Sequence, residues 1–274
     1  MAEGPGEEAG FGEVWRWILA VQPGAPASTG PLSVDGAGEW STDVALTAEA
    51  RDALDLFLSL RVRSAFVVGQ LGQSLDGRIA TESGHSHYIN GPDDIRRLHC
   101  LRALVDAVVV GAGTVEADDP RLTVREVDGE HPARVVLDPR GRVGPHRRIF
   151  ERPGPPVLWM RGSGAGVGPS ADGVDVEGLP LDEAGGFDPN DVVRSLARRG
   201  WRRVLVEGGG VTVSRFLQAG ALDRLHVSVA PLILGSGRPA FTLPTIRTLD
   251  EGLRPPVRHF RLGTDVLFDL DLGG

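Results

Sequence analysis

A single cysteine, Cys100, stands in 274 residues, which excludes an intramolecular disulfide and any zinc site built on paired cysteines. A surplus of positive charge is also missing. With 29 Lys and Arg against 37 Asp and Glu, the formal net charge of −8 opposes sequence-independent nucleic-acid binding, which needs cations to displace counterions from phosphates. No stretch approaches the roughly 18 apolar residues of a membrane-spanning helix. The opening "MAEGPGEEAG" is acidic and glycine-rich where a secretory leader is basic and then apolar. The run "VWRWILAV", Val14 to Val21, is too short and too poor in positive charge for an interfacial anchor. The expectation is a cytoplasmic protein without membrane or nucleic-acid partners. No metal is expected either: His85 and His87 stand two apart in "HSHY" with no third ligand, and His99 and His226 lie in helix and strand patterns and read as structural.

What is present is enough apolar content, 41%, for one sizeable core. Residues 1–62 read as an appendage: a polar tail, the tryptophan run, and the irregular loop "QPGAPASTGP". It ends in a helix with Thr47 as N-cap, Glu49 in the first turn, and Ala53, Leu54, Phe57, Leu58 and Leu60 on one face. Over 63–274, β-branched runs ("AFVVGQL", "DAVVVG", "ARVVLD", "PVLWM", "RRVLVE", "RLHVSVA") alternate with helical stretches, the pattern of a mostly parallel sheet flanked by helices. One helix opens at Pro92, with Asp93 and Asp94 in its first turn and Ile95, Leu98, Leu101 and Leu104 on one face. A second is expected from Asp188 to Gly200, and a third from the end of "EGGG" to Gly220. Gly263-Thr264 between alternating apolar stretches predicts a C-terminal antiparallel hairpin.

Two stretches carry candidate chemistry. In "RRVLVEGGGVTVSRFL" a strand ends in glycines and passes into a helix, an arrangement that converges backbone N–H groups on an anion or serves only as a tight turn. Glu207 at the strand end is awkward beside a phosphate unless it meets a hydroxyl, an amine or a cation. "VVVGAGTVEADDPRLTVR" repeats the arrangement: strand, "GAGT", then a polar loop. It lacks the third glycine of the dinucleotide fingerprint and the Lys of a phosphate-binding P-loop, and by itself its Asp118, Asp119, Arg121 and Arg125 read as a salt-bridged surface loop.

In order, "GQSLDGRIA", "GHSHYINGPDD", Leu101-Arg102, "VGAGTVEADDPRLTVR", "RVVLDPRGRV" and "VEGGGVTVSRFLQAGALDRLHVSVAPLILGSGRP" closely resemble the reductase domain of bacterial bifunctional riboflavin-biosynthesis proteins. The resemblance implies a dihydrofolate reductase-like α/β fold. It also implies NADPH-dependent reduction of the ribosylamino side chain of a phosphorylated aminopyrimidine to a ribitylamino chain, and a homodimer. By position it assigns Tyr88, Thr114, Asp118 and the run Gly209, Gly210, Val211, Thr212, Val213, Ser214 and Arg215 to the cofactor. Ser86, Arg102, Leu122, Arg125 and Glu207 fall to the substrate, with Glu207 and Gln70 as candidate catalytic residues. Gln70 replaces a lysine usual in bifunctional members. Pro139 replaces a cofactor-binding serine, with Arg140 or Arg142 able to meet a 2′-phosphate instead. The zinc deaminase ligands of the bifunctional proteins need cysteines this chain lacks. A pterin or dihydrofolate-type reductase and a non-catalytic nucleotide-binding protein are the alternative readings.

Overall fold

The computed structural model describes residues 8–24, 26–86, 89–164 and 173–273. The chain divides into two compact units, Met1–Phe66 and Val67–Gly274.

The first unit contains α1 (Phe11–Ala20), strands β1 (Ala27–Thr29), β2 (Leu32–Val34) and β3 (Trp40–Thr42), and α2 (Ala48–Arg61). The tryptophan run lies in α1, where Trp15 meets Phe57 of α2 edge to face at 5.6 Å. Thr47 caps α2 by accepting the Ala50 N–H at 3.2 Å. The stretch expected as irregular loop instead supplies β1 to an antiparallel sheet in the order β1-β2-β3, with Gly30 at φ +59 turning β1 into β2. Strands of three residues are too short to display the alternation that would reveal them.

The second unit runs β4 (Phe66–Ser74), β5 (Arg78–Thr81), α3 (Pro92–Leu104), β6 (Ala107–Gly111), α4 (Ala112–Asp118), β7 (Ala133–Asp138), β8 (Val157–Gly162), β9 (Asp175–Leu179), α5 (Pro189–Arg198), β10 (Arg203–Glu207), α6 (Gly210–Gln218), β11 (Arg224–Ala230), β12 (Gly237–Pro239), β13 (Val257–Leu262) and β14 (Asp265–Asp271). Its main sheet has the order β13-β14-β11-β4-β10-β6-β7-β8-β9. The pairs β10/β6, β6/β7, β7/β8, β8/β9 and β4/β11 are parallel, whereas β11/β14 and β13/β14 are antiparallel. This is the expected mixed, mostly parallel sheet, and the hairpin turns at Gly263, φ +62. The inner strands read as unbroken apolar runs because both faces are covered: Val108, Val109 and Val110 are all fully buried.

Where a polar loop was expected after "GAGT", the chain makes the two-turn helix α4 before the loop begins. The stripe assigned to α3 also divides: Leu101 and Leu104 are buried in the core, whereas Ile95 and Leu98 face a cavity. The parallel register brings the ends of β6, β7 and β10, at Gly111, Asp138 and Glu207, to one edge of the sheet. Crevices beyond the carboxyl ends of parallel strands are where such sheets bind ligands.

Candidate active site

Beyond that edge lies a cavity of about 980 Å³, at the upper end of the range for a small-molecule site. Glu207 from β10 forms part of its wall, and behind it stands Arg102 from the last turn of α3. Arg102 Nε donates to Glu207 Oε2 at 2.9 Å and Nη2 donates to Oε1, a two-pronged ion pair whose side chains are 8% and 12% exposed. The third nitrogen, Nη1, donates to the Thr123 carbonyl at 3.3 Å, so the guanidinium joins the strand end to the loop after α4.

That loop is held in a costly shape. Asp119 and Leu122 have φ of 42 and 53, in the left-handed region, which costs about 1–2 kcal/mol for an L-residue. Leu122 is 2% exposed, and full burial of its side chain is worth about 1.5–3 kcal/mol, enough to offset the strain at that residue. Asp119 Oδ1 accepts the Arg148 N–H at 2.8 Å, and Arg125 Nη1 donates to Thr123 Oγ1 at 2.9 Å. Burial first and then the Arg102 cation push the Arg125 pKa down, with Glu126 opposing them and Arg121 and Arg148 adding smaller pushes. On the near side, Ser86 Oγ donates to Asp118 Oδ1 at 3.0 Å. A residue assigned to substrate and one assigned to cofactor therefore touch.

At the start of α6 the backbone approaches its neighbours closely. The Gly209 N–H donates to Thr114 Oγ1 at 2.9 Å. Gly208 has φ +116, and a Cβ at Gly210 would collide with the Ala240 carbonyl. Gly209, Gly210, Val211, Thr212 and Arg215 line the cavity. Val213 and Ser214 do not: Val213 is fully buried in the core, and Ser214 Oγ accepts the Thr242 N–H at 2.9 Å. Arg215 is engaged too, donating to the Asp182 carboxylate and, at 2.9 Å, to the Phe187 carbonyl, which fastens the loop before α5 over the cavity.

At the end of β7, Asp138 is fully buried and accepts the N–H groups of Arg142 and Val143, each at 2.9 Å, and Trp159 Nε1 at 3.2 Å. This anchors a tight loop that offers Pro139, Arg140 and Arg142 to the cavity. Gln70, 6% exposed, lines the cavity from β4. Neither Arg102 nor Arg125, both expected to contact substrate, lines the cavity: Arg102 is buried against Glu207 and Arg125 is exposed, while Tyr88 lies outside the described residues. Sequence reasoning missed Asn90, Phe187 and Arg238, which also line it. All three sit outside the strand-to-glycine turns that drew attention. Among the described residues no group of three His, Cys, Asp or Glu is placed to hold a metal.

Residues 65–268 match the family described as the RibD C-terminal domain. The chain belongs to that family. Within it, the chain is 36% identical over 222 residues to a 2,5-diamino-6-ribosylamino-4(3H)-pyrimidinone 5′-phosphate reductase of Methanothermobacter thermautotrophicus, covering 76% of this chain and 99% of the relative. It is 32% identical over 276 residues to riboflavin biosynthesis protein RibD of Escherichia coli, covering 94% and 74%. Among solved structures, Acinetobacter baumannii RibD superimposes with a TM-score of 0.64 at 28% identity, over 81% of this chain and 62% of the other. The matched residues, 65–268, cover most of the second unit of the chain, Val67–Gly274.

Proposed function

We propose that the protein reduces the ribosylamino side chain of a phosphorylated aminopyrimidine to the ribitylamino form, with NADPH as reductant. The observation that carries this reading is that the glycine-lined start of α6 and the Glu207 carboxylate open onto one continuous cavity. Family membership and the name of the archaeal relative, a pyrimidinone 5′-phosphate reductase, support it.

The residues present fit a nicotinamide dinucleotide phosphate. The start of α6 lines the cavity and can receive a pyrophosphate on its backbone N–H groups, and the close packing of Gly210 on the Ala240 carbonyl and of Gly111 on Thr212 Oγ1 holds that turn in place. Arg140 and Arg142, which also line the cavity, suit a 2′-phosphate. When bound, NADPH supplies a hydride. In the substrate, opening the sugar ring moves the exocyclic N–H proton to the ring oxygen and leaves a C1′=N imine. Reduction adds hydride to C1′ and a proton to the nitrogen. The protein's task is chiefly to hold donor and acceptor in line and exclude water. Glu207, fixed by Arg102, can accept hydrogen bonds from substrate hydroxyl or amine groups. Ser86 and Asp118 form a second polar pair, and Gln70 offers a neutral amide that orients without giving up a proton. All 29 basic residues are arginines, so the substrate phosphate falls to guanidinium groups, and Arg125, whose guanidinium is in no carboxylate ion pair among the described residues, is the one assigned to it.

Anaerobic incubation with NADPH and the phosphorylated ribosylaminopyrimidine, in deaminated and undeaminated forms, tests the function. Oxidation of the cofactor with one form is expected, and with neither form the proposal fails. Replacing both Arg140 and Arg142 by Gln is expected to raise the KM for NADPH about 10- to 100-fold, the worth of one or two charge-assisted hydrogen bonds, while leaving the KM for NADH within about twofold. Equal losses with both cofactors would remove these arginines from 2′-phosphate recognition.

The same reading extends to a cytoplasmic homodimer. Among the described residues no helix is long and apolar enough to cross a membrane, and β13 lies at one edge of the main sheet, following a segment in which Leu249 and Leu253 are 76% and 70% exposed. Sedimentation equilibrium is expected to give twice the chain mass of 29.1 kDa.

A further inference from the structure

The loop from Leu122 to Arg125 belongs to neither helix nor strand, so no backbone ladder satisfies its polar groups. Side chains take that place. On α3, His99 and Arg102 stand three residues apart and face the same way. Arg102 Nη1 donates to the Thr123 carbonyl at 3.3 Å, and His99 Nδ1 accepts the Arg125 N–H at 2.9 Å. One turn of helix thus grips the loop on both sides of Val124, whose own N–H donates to His131 Nδ1 at 3.2 Å. His131 is exposed, whereas His99 is 1% exposed.

We propose that His99 is a positioning residue for the substrate phosphate: its unprotonated Nδ1 holds the Arg125 backbone and thereby sets where the Arg125 guanidinium can reach. This rests on the reading that Arg125 meets that phosphate. The bond requires the tautomer with hydrogen on Nε2 and a bare Nδ1; a proton at Nδ1 would set two donors against each other. The charged groups facing the imidazole are Arg102 from α3 and Arg125 from the loop itself. Burial first, and then these two cations, lower the His99 pKa from 6.5 to about 4. The sign follows: a histidine whose folded pKa is depressed keeps its bond intact above 6.5 and loses it as pH falls through about 4. The clamp is therefore fully formed at neutral pH.

The test is steady-state kinetics on the whole chain with the phosphorylated ribosylaminopyrimidine and NADPH, comparing wild type with His99→Phe, His99→Asn and Arg125→Met. His99→Phe removes the acceptor; the expected result is a KM for the pyrimidine raised about 10-fold, with kcat and the KM for NADPH within about twofold. In His99→Asn the amide oxygen falls close to where Nδ1 stood, so KM is expected to return to within about threefold of wild type. The Asn variant has no titrating ring, so the ratio of wild-type to His99→Asn KM is expected to be flat above pH 6 and to climb as pH falls toward 4. Titration of the substrate phosphate cancels in that ratio. If Arg125→Met raises KM while His99→Phe does not, the positioning role is overturned and the phosphate reading stands. If Arg125→Met leaves KM unchanged, the phosphate reading itself falls and the proposal with it. Should His99→Phe fail to fold, a flat wild-type to Asn ratio down to pH 4 overturns the proposal on its own.

Discussion

Replacing Glu207 by Gln is expected to lower turnover about 100-fold or more, the usual worth of a positioned carboxylate that orients or relays a proton. The substitution keeps the shape and one acceptor oxygen, so the pyrimidine still enters; what changes is the charge facing Arg102. In the native protein both carboxylate oxygens are taken by the guanidinium and the pair is nearly dry, at 8% and 12% exposure. Removing one partner of a buried ion pair outright costs about 3–5 kcal/mol, because the survivor is stranded. Gln retains part of the hydrogen bonding, so the loss of stability is expected to lie at the lower end of that range or below it. Two measurements separate the effects. Denaturant unfolding reports the stability, and kcat taken well below the unfolding midpoint reports the chemistry. The double variant with Arg102→Met is expected to be less destabilised than the sum of the single changes, because neither charge is then left alone. Wild-type turnover in Glu207→Gln would remove the carboxylate from the mechanism.

The second large effect is expected at Gly210. Alanine is a better helix former than glycine by about 1 kcal/mol, and on propensity alone Gly210→Ala would stabilise α6. The local geometry reverses the sign. A Cβ here meets the Ala240 carbonyl, a backbone group that cannot swing aside, and forcing an atom into such a contact costs about 1–3 kcal/mol. Either the first turn of α6 or the Ala240 strand end must shift, and both border the cavity where the cofactor phosphates are proposed to sit. The expected result is a Kd for NADPH raised about 10-fold or more, measured by quenching of cofactor fluorescence, with pyrimidine affinity little changed. Gly12 supplies the control: it lies in α1 with open space around its missing Cβ, so Gly12→Ala is expected to leave cofactor binding alone and to stabilise by about 0.5–1 kcal/mol. Unaltered NADPH binding in Gly210→Ala would dissociate α6 from the cofactor.

Why some of this was legible in the sequence and some was not follows from the reach of each signal. The inner strands announce themselves because burial on both faces demands apolar, β-branched runs, as in Val108 to Val110. Helices α3 and α5 carry their own start signals in Pro92 and Asp188, and Asp188 does accept the Asn190 N–H at 2.8 Å. The short strands β1, β9 and β12 carry no comparable signal, and their pairing depends on neighbours distant in the sequence. Within the site, the glycine turns pointed to the sheet edge, but residue order could not say which side chains face the cavity. Helical geometry sends Val213 and Ser214 from the same turn into the core while Thr212 and Arg215 remain at the surface of the cleft. Nor could it show that Arg102 is already paired with Glu207, because the two lie 105 residues apart and meet only when α3 packs behind β10. Phe187 and Asn90 come from loops whose composition carries no motif, and only the closed fold brings them to the cavity.

The most direct measurement is the fate of the transferred hydrogen. With NADPH carrying deuterium at the transferring position of the nicotinamide ring, a single turnover on the phosphorylated ribosylaminopyrimidine is predicted to give a ribitylamino product one mass unit heavier, with the label at C1′. An unlabelled product, or cofactor oxidised without any deuterium reaching C1′, would contradict the claim that one cavity holds nicotinamide and sugar side by side.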